Sequence, residues 1–490
     1  MTLPVSTMIC AGCGYELPPG SPYPFRCPQQ DGSDDIDHVL TRVLSTDEIA
    51  TKKEWKAIFT HPEANPFVKY RKLFHSYHAA RAGGLKDAEY VGIVKKLDSA
   101  VSKADGRGFE ATPLLEHTEL AVRLNCPPGA AVWIKDETGN VSGSHKARHL
   151  MGLMIWLEIV RKLGIAMVKP GIRPTLSIAS CGNAALAAAV VAAAAGYPLN
   201  VYVPASAKRS TIQLLKELGA QCTICRRRKN EAGDPCIREF HRSLSRGALP
   251  FTVQGSENGL AIEGGETLGW EMISTLIQKK KRLDRLIIQV GGGALAASCI
   301  QAFREAREIG LIRSLPIIHT VQTRGAYPLQ RAFQGLTKNI LERYRRESGE
   351  SFAIPRGNYE RTALIRERVP EVVLDEALYY AVTHRSKFMF PWPVTPKSLA
   401  EGILDDETYD WMAVIRGMLL TGGYPVVVSE SDLTKAQAVA HRATGIPAGY
   451  TGIAGLAGYI RLLRSKETAA GETVALLFTG LDRQDPSAPR

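Results

Sequence analysis

From about residue 131 onward, short apolar runs alternate with amphipathic stretches, and the two periodicities predict strands and helices in turn. Ala131 to Lys135 reads as a strand. Lys146 to Leu163 reads as a helix, with Leu150, Leu153, Met154 and Leu157 on one face and Gly164 as its stop. The unit recurs as strand Thr175 to Ala179 with helix Ala184 to Ala195. It recurs again as strand Leu199 to Val203 with helix Ala207 to Leu218, closed by Gly219. Further strands are predicted at Leu286 to Val290, Ile317 to Val321, Val426 to Ser429 and Val474 to Phe478. Such alternation predicts a two-lobed α/β fold with parallel-rich twisted sheets flanked by helices. The stretch from about Thr337 to Thr395 departs from the alternation and reads as an inserted segment or lid.

A chain of 490 residues with 45% hydrophobic content can bury two sizeable cores. The expected division is a ribbon-like amino-terminal segment (1–45), a helical segment leading into the large lobe (46–150), a smaller α/β lobe (151–260) and the large lobe (261–490). No apolar run reaches membrane-spanning length, and Ala184 to Ala195 is short enough to be a buried helix. With no signal-type apolar segment near residue 1, the expected location is the cytoplasm. Nine cysteines, sparse and odd in number, fit a reducing compartment better than a disulfide scaffold.

The excess of 61 Lys and Arg over 49 Asp and Glu lies in short clusters such as Arg226 to Lys229 and Lys279 to Arg282. These follow a strand or helix and carry no interleaved aromatics, which favours small anionic ligands over nucleic acid as partners.

Four motifs carry the chemistry, each placed where a predicted strand meets a turn or helix: SGSHKAR (Ser142 to Arg148), SCGN (Ser180 to Asn183), VGGGALA (Val290 to Ala296) and FTG (Phe478 to Gly480). Taken singly, each has an ordinary reading. Lys146 is a solvated lysine, Asn183 a helix N-cap, Thr479 a strand-end hydroxyl, and Gly291, Gly292 and Gly293 a tight turn. Together they supply what pyridoxal phosphate requires. A lysine amine forms a Schiff base with the aldehyde, an amide meets the ring oxygen, bare backbone cradles the phosphate and a hydroxyl meets the ring nitrogen. The glycine run lacks the GxGxxG spacing of a dinucleotide site and the GK[ST] ending of a P-loop.

From Thr112 to Arg483 the chain resembles the fold-type-II pyridoxal-phosphate enzymes of the tryptophan synthase β superfamily. Besides the four motifs, the resemblance rests on Thr112-Pro113-Leu114, EGGET (Glu263 to Thr267) and VQTRGAYPL (Val321 to Leu329). The amino-terminal cysteines, NPFVKYR (Asn65 to Arg71) and the threonine of FTG make it most similar to the threonine synthase branch. The histidine before Lys146 is more like tryptophan synthase β, and GGGALA is more like the serine and threonine dehydratases.

The resemblance implies that Lys146 carries the cofactor and shuttles the α-proton, with Ser144 at the other face of the ring. Asn183 is then the ring-oxygen ligand, Gly291, Gly292, Gly293, Ala294 and Leu295 bind the phosphate, and Thr479 meets the ring nitrogen. Ser180, Cys181 and Gly182 bind the substrate carboxylate. The implied activity is elimination or replacement at Cβ or Cγ of a small amino acid, as in a lyase or synthase of amino-acid metabolism, by a homodimer. A serine or threonine dehydratase-like β-elimination or a β-replacement is the alternative.

Two features stand outside the four motifs. Cys10-x2-Cys13 with Cys27 is half of a zinc ribbon, and Gln30 stands where a second CxxC would close, leaving His38 as the nearest other donor. The alternatives are bound zinc or a decayed ribbon that keeps its shape. Cys222 and Cys225 also form CxxC but lie in a strand-like run and read as packed thiols. Two non-catalytic readings are a protein that only binds pyridoxal phosphate and a zinc-ribbon binder of nucleic acid.

Overall fold

The computed structural model describes residues 5–165, 173–227 and 234–483. The basic cluster at Arg226 to Lys229 therefore falls partly outside the described residues.

Strands β1 (Ser6–Cys10) and β2 (Leu40–Leu44) pair antiparallel as a small ribbon, with Cys10 opposite Leu40. After a helical stretch, β3 (Leu114–Glu116) and β4 (Ala131–Asp136) pair antiparallel. The chain then builds a separate parallel sheet from β5 (Leu176–Ala179), β6 (Leu199–Pro204), β7 (Gln221–Cys225) and β8 (Leu249–Pro250), in the order β7-β6-β5-β8. It returns with β9 (Arg285–Gln289), β10 (Ile317–Thr323), β11 (Pro425–Val428) and β12 (Thr473–Phe478). These complete a six-stranded sheet of order β11-β10-β9-β12-β4-β3, parallel except at β3. Both sheets are parallel-rich and flanked by helices, as the strand–helix alternation predicts.

Four helices position the site: α1 (Lys146–Leu163), α2 (Asn183–Ala195), α3 (Ala261–Lys279) and α4 (Ala294–Glu308). Helix α1 is buried from Ala147 to Val160, because it packs against both α2 and α3, and Gly164 closes it in the left-handed conformation at φ 66°. Its approach to α3 is close enough that a Cβ on Gly152 would lie 2.8 Å from the Gly264 Cα. The middle of the EGGET motif is therefore a backbone contact point between helices. Helix α2, almost wholly alanine and valine, is squeezed between α1 and helix Asp87–Asp105.

The stretch expected to be an inserted segment or lid is a packed helical layer. Helices Pro328–Ser348, Asn358–Arg368 and Glu371–Thr383 bury Leu336, Ile340, Leu341, Ala377 and Ala381, and the first of them packs against β11 at the sheet edge. Among the described residues, no helix is long and apolar enough to cross a membrane.

The ribbon is fastened to the large lobe by a charge. Arg42 of β2 is 4% exposed and pairs with Glu266, with Glu305 at 2.6 Å and with Glu263 at 3.6 Å. Three acids face one guanidinium, and burial pushes Glu263 up to about 7. Arg42→Met should strand these carboxyls in the core and cost about 3–5 kcal/mol of stability in denaturant unfolding. Unchanged stability would mean that the guanidinium is not what makes their burial tolerable.

Candidate functional site

The four motifs meet at the carboxyl ends of β12, β9 and β5, the edge where loops and helix starts face a ligand in parallel sheets. Lys146 is the first residue of α1, and the two residues before it are pinned to the turn after β12. Ser144 bridges Gly480, and the His145 backbone N–H donates to the Thr479 carbonyl at 3.2 Å. The His145 ring also lies on that carbonyl, with Nδ1 at 3.1 Å. Burial pushes the imidazole well below its ordinary pKa, so the ring is neutral and Nδ1–H is the donor. Among the described residues, the Ser144 hydroxyl is buried without a hydrogen-bond partner.

Burial lowers the affinity of the Lys146 amine for a proton, against the pull of Asp405 and Asp410. A larger neutral fraction makes the amine a better nucleophile. The start of α1 is held by Arg148, which is 0% exposed. Its Nε and Nη2 donate to Glu137 at 2.8 and 3.0 Å, and Nη1 and Nη2 donate to Glu271 at 2.6 and 3.0 Å. Lys135 reaches the same Glu271 at 2.5 Å and the Thr112 carbonyl at 2.7 Å. Thr112 donates its hydroxyl to Glu137 and accepts from Arg148 Nη2 at 3.1 Å. Burial works against Glu271, but Arg148 and Lys135 outweigh it and hold the carboxyl below its ordinary range.

Asn183 is the first residue of α2, and Gly182 takes the N-cap position, so the N-cap reading of Asn183 does not hold. Its amide instead reaches toward the large lobe. A Cβ on Gly480 would lie 2.7 Å from Asn183 Nδ2 and 3.8 Å from Ser144 Cβ. Ser180, Cys181 and Gly182 form the turn just before it, partly open to solvent, and the Gly182 N–H donates to Ser180 Oγ at 3.4 Å. Burial pushes the Cys181 thiol up.

Thr479 is buried, and its hydroxyl accepts from Gln289 Nε2 at 2.6 Å. The same nitrogen also reaches the carbonyls of Gly452 at 2.8 Å and Leu477 at 3.0 Å, so its two hydrogens are shared among three acceptors. Carbonyls only accept, which settles the amide orientation and makes Thr479 Oγ1 an acceptor toward Gln289. The Thr479 proton is thereby left for another acceptor. The motif search missed Gln289. Its signal was a polar residue at the end of the otherwise apolar run LIIQV.

The glycine loop follows β9, with Gly293 at φ 103°, and leads into α4 at Ala294 and Leu295. A segment that the motif search did not select lies directly against it. Thr408 Oγ1 donates to the Gly291 carbonyl at 2.9 Å, and the Asp410 N–H donates to the Gly292 carbonyl at 3.0 Å. Asp405 lies against the same loop, with Oδ2 at the place a Cβ on Gly291 would take; burial raises its pKa to about 6, against the lowering effects of Lys146 and the Gly292 N–H. Burial likewise pushes Asp410 up to about 7. A Cβ on Gly292 would lie 2.9 Å from the Tyr409 ring, so only glycine fits there.

Comparison with known proteins decides the family. Residues 107–480 match the family described as pyridoxal-phosphate dependent enzyme. The chain belongs to that family. Threonine synthase of Methanocaldococcus jannaschii is 25% identical over 401 residues, which cover 81% of this chain and 79% of that protein. The L-serine dehydratase/L-threonine deaminase of Bos taurus is 28% identical over 215 residues, covering 43% of this chain and 58% of that protein. Diaminopropionate ammonia lyase of Escherichia coli shares the fold with a TM-score of 0.53 at 13% identity, over 86% of this chain and 92% of that one. The chain is thus a fold-type-II enzyme that uses pyridoxal phosphate.

The residues present fit this cofactor. A buried lysine amine, the unpartnered Ser144 hydroxyl, the Asn183 amide and the Thr479 hydroxyl converge beside a loop whose glycines leave backbone N–H groups bare. Asp405 lies against that loop, so a phosphate bound there meets a carboxyl group.

Asp405, Asp410 and Glu263 all hold their protons to higher pH when folded than their ordinary values allow. At these three sites the folded chain holds more protons than the unfolded chain between about pH 4 and 7. Their contribution to stability is greatest at the acid end of this window and is lost as the pH rises through it, while His75, His78, His145, His149 and His319, which burial holds unprotonated, contribute in the opposite sense. Asp410→Asn isolates one of the carboxyls: its stability in denaturant unfolding, relative to the wild-type chain, should improve by about 1 kcal/mol or more between about pH 5 and about pH 8. A difference that did not change with pH would contradict this assignment.

Proposed function

We propose that this chain catalyses elimination or replacement at Cβ or Cγ of a small amino acid, in the manner of threonine synthase, with Lys146 carrying the cofactor. The observation behind this reading is the junction at which the Lys146 segment is bonded to Thr479 while Gln289 orients the Thr479 hydroxyl. When bound, pyridoxal phosphate supplies an aldehyde for amine capture and a conjugated ring that withdraws electrons from the substrate's α-carbon.

In this reading the Lys146 Nζ holds the cofactor and, once displaced, takes and returns the α-proton. Ser144 lies two residues away with a free hydroxyl for proton exchange at the opposite face. The Asn183 amide donates to the ring oxygen. The N–H groups of Gly291 to Leu295, at the start of α4, hold the phosphate, and those of Ser180 to Gly182 hold the substrate carboxylate. Thr479 donates its proton to the ring nitrogen. A neutral donor leaves that nitrogen unprotonated, which weakens the electron sink and favours departure of a leaving group over transamination.

The archaeal threonine synthase relative supports chemistry at Cγ. The GGGALA loop and the buried Asp405 and Asp410 support the second reading, a β-elimination of serine or threonine. Carboxylates beside the amine disfavour a phosphorylated side chain.

Titrating the purified protein with O-phosphohomoserine, then serine, threonine and O-substituted serines, while recording the visible spectrum, distinguishes the two readings. A cofactor band that responds to O-phosphohomoserine assigns γ-chemistry, and one that responds to serine-like compounds assigns β-chemistry. Lys146→Ala should lose the band of the resting enzyme and all turnover while keeping the fold. A variant that retained both would refute the role of this lysine. Gln289→Glu should make Thr479 donate to the new carboxylate instead of the ring. Turnover should fall at least about tenfold with the cofactor band still present, and unchanged turnover would show that the hydroxyl's direction is immaterial.

A further inference from the structure

We propose that Cys10, Cys13, Cys27 and His38 bind one zinc ion, and that this ion braces the amino-terminal ribbon against the segment beside the glycine loop. The binding assignment does not depend on the reaction proposed above. One ligand atom from each of the four residues lies within 4.8 Å of all the others. Cys13 Sγ and Cys27 Sγ are 3.6 Å apart, and Cys10 Sγ is 3.5 Å from His38 Nδ1. A tetrahedral zinc with Zn–S bonds of about 2.3 Å and Zn–N bonds of about 2.0 Å has S–S edges of about 3.8 Å and S–N edges of about 3.5 Å. The observed separations match those edges, whereas a disulfide needs sulfurs about 2.05 Å apart. All three cysteines are free thiols.

The imidazole is aimed as a metal ligand. His38 Nε2 is 3.1 Å from Asp34 Oδ2, so Nε2–H donates to the carboxylate and the Nδ1 lone pair faces the sulfurs. A carboxylate behind the far nitrogen fixes the tautomer and raises the basicity of the ligating one. His38, Cys10 and Cys27 are buried and Cys13 lies at the surface, a closed site of Cys3His composition. A search for a second CxxC stops at Gln30. The fold instead supplies the fourth donor from the residues just before β2, whose Leu40 pairs with Cys10.

The brace follows from the neighbours of His38. Asp37 accepts from Arg385 Nε at 3.0 Å, and Arg385 Nη2 donates to Glu407 at 2.8 Å. Asp35 accepts from the Ser386 N–H at 2.9 Å and its hydroxyl at 2.8 Å. Glu407 lies between Asp405 and Asp410, the two acids placed against the glycine loop. A metal that fixes His38 therefore also fixes the anchor of that segment.

The test is the zinc content of the full-length protein purified under reducing conditions, together with the visible spectrum of protein loaded with cobalt. About one zinc per chain is expected, and cobalt should give the absorption of a tetrahedral site with thiolate-to-metal charge transfer. His38→Cys should keep the metal and move the cobalt spectrum toward that of four thiolates, and Cys27→Ser should lose it. If Cys27→Ser does not fold, thiol titration of the wild-type chain decides: release of one zinc should expose three further reactive thiols. Failure of the reduced wild-type protein to bind zinc or cobalt, or metal retained in folded Cys27→Ser, would overturn the proposal.

Discussion

The buried pairing of Arg148 with Glu137 and Glu271 is the constraint on which the site depends. Arg148 lies two residues after Lys146, Glu137 just beyond the end of β4 and Glu271 on α3, so one guanidinium holds three elements at the point where the reactive amine emerges. Burying an ion this deeply is tolerable only when every donor is satisfied. Here Thr112 and Lys135 complete the set, giving two cations for two acids. A helix start fixed in this way holds the backbone of Lys146 from its carboxyl side, as Ser144 and His145 hold it from the other.

The site also joins the two sheets. Lys146, Thr479 and the glycine loop belong to the six-stranded sheet and its helices, while Asn183 arrives from the four-stranded one. The contact of its amide with Gly480 has no room for a side chain at that position. Where the small sheet sits relative to the large one thus decides whether the amide reaches its place.

Much of this was legible from local patterns. The strands and helices that carry the motifs fall within a few residues of their predicted positions, because each apolar run is bounded by a glycine or a polar turn. The lysine, asparagine, glycine and threonine positions followed from where strands end. What stayed hidden was tertiary. Gln289 gains its meaning only from Thr479, nearly two hundred residues away in sequence. Asp405 and Asp410 belong to an irregular stretch with no period to place them beside the glycine loop. The glutamates of EGGET read as a family signature, yet in space Glu263 and Glu266 serve Arg42 of the ribbon. The helices Pro328–Ser348 and Asn358–Arg368 escaped notice because arginine and glutamate crowd their outer faces and dilute the apolar stripe, and Glu371–Thr383 because exposed Val372 and Tyr379 blur its stripe.

The placement of Arg42 bears on what the first forty-five residues are. By chain order they form a separate ribbon of the kind that is gained or lost as a module. By electrostatics they are not separable, since the only guanidinium described as paired with Glu263, Glu266 and Glu305 comes from that ribbon. Without the ribbon, all three carboxyls would lose that partner. The segment and the catalytic body are therefore one electrostatic unit, and a boundary drawn near residue 45 divides the chain more cleanly than it divides the molecule.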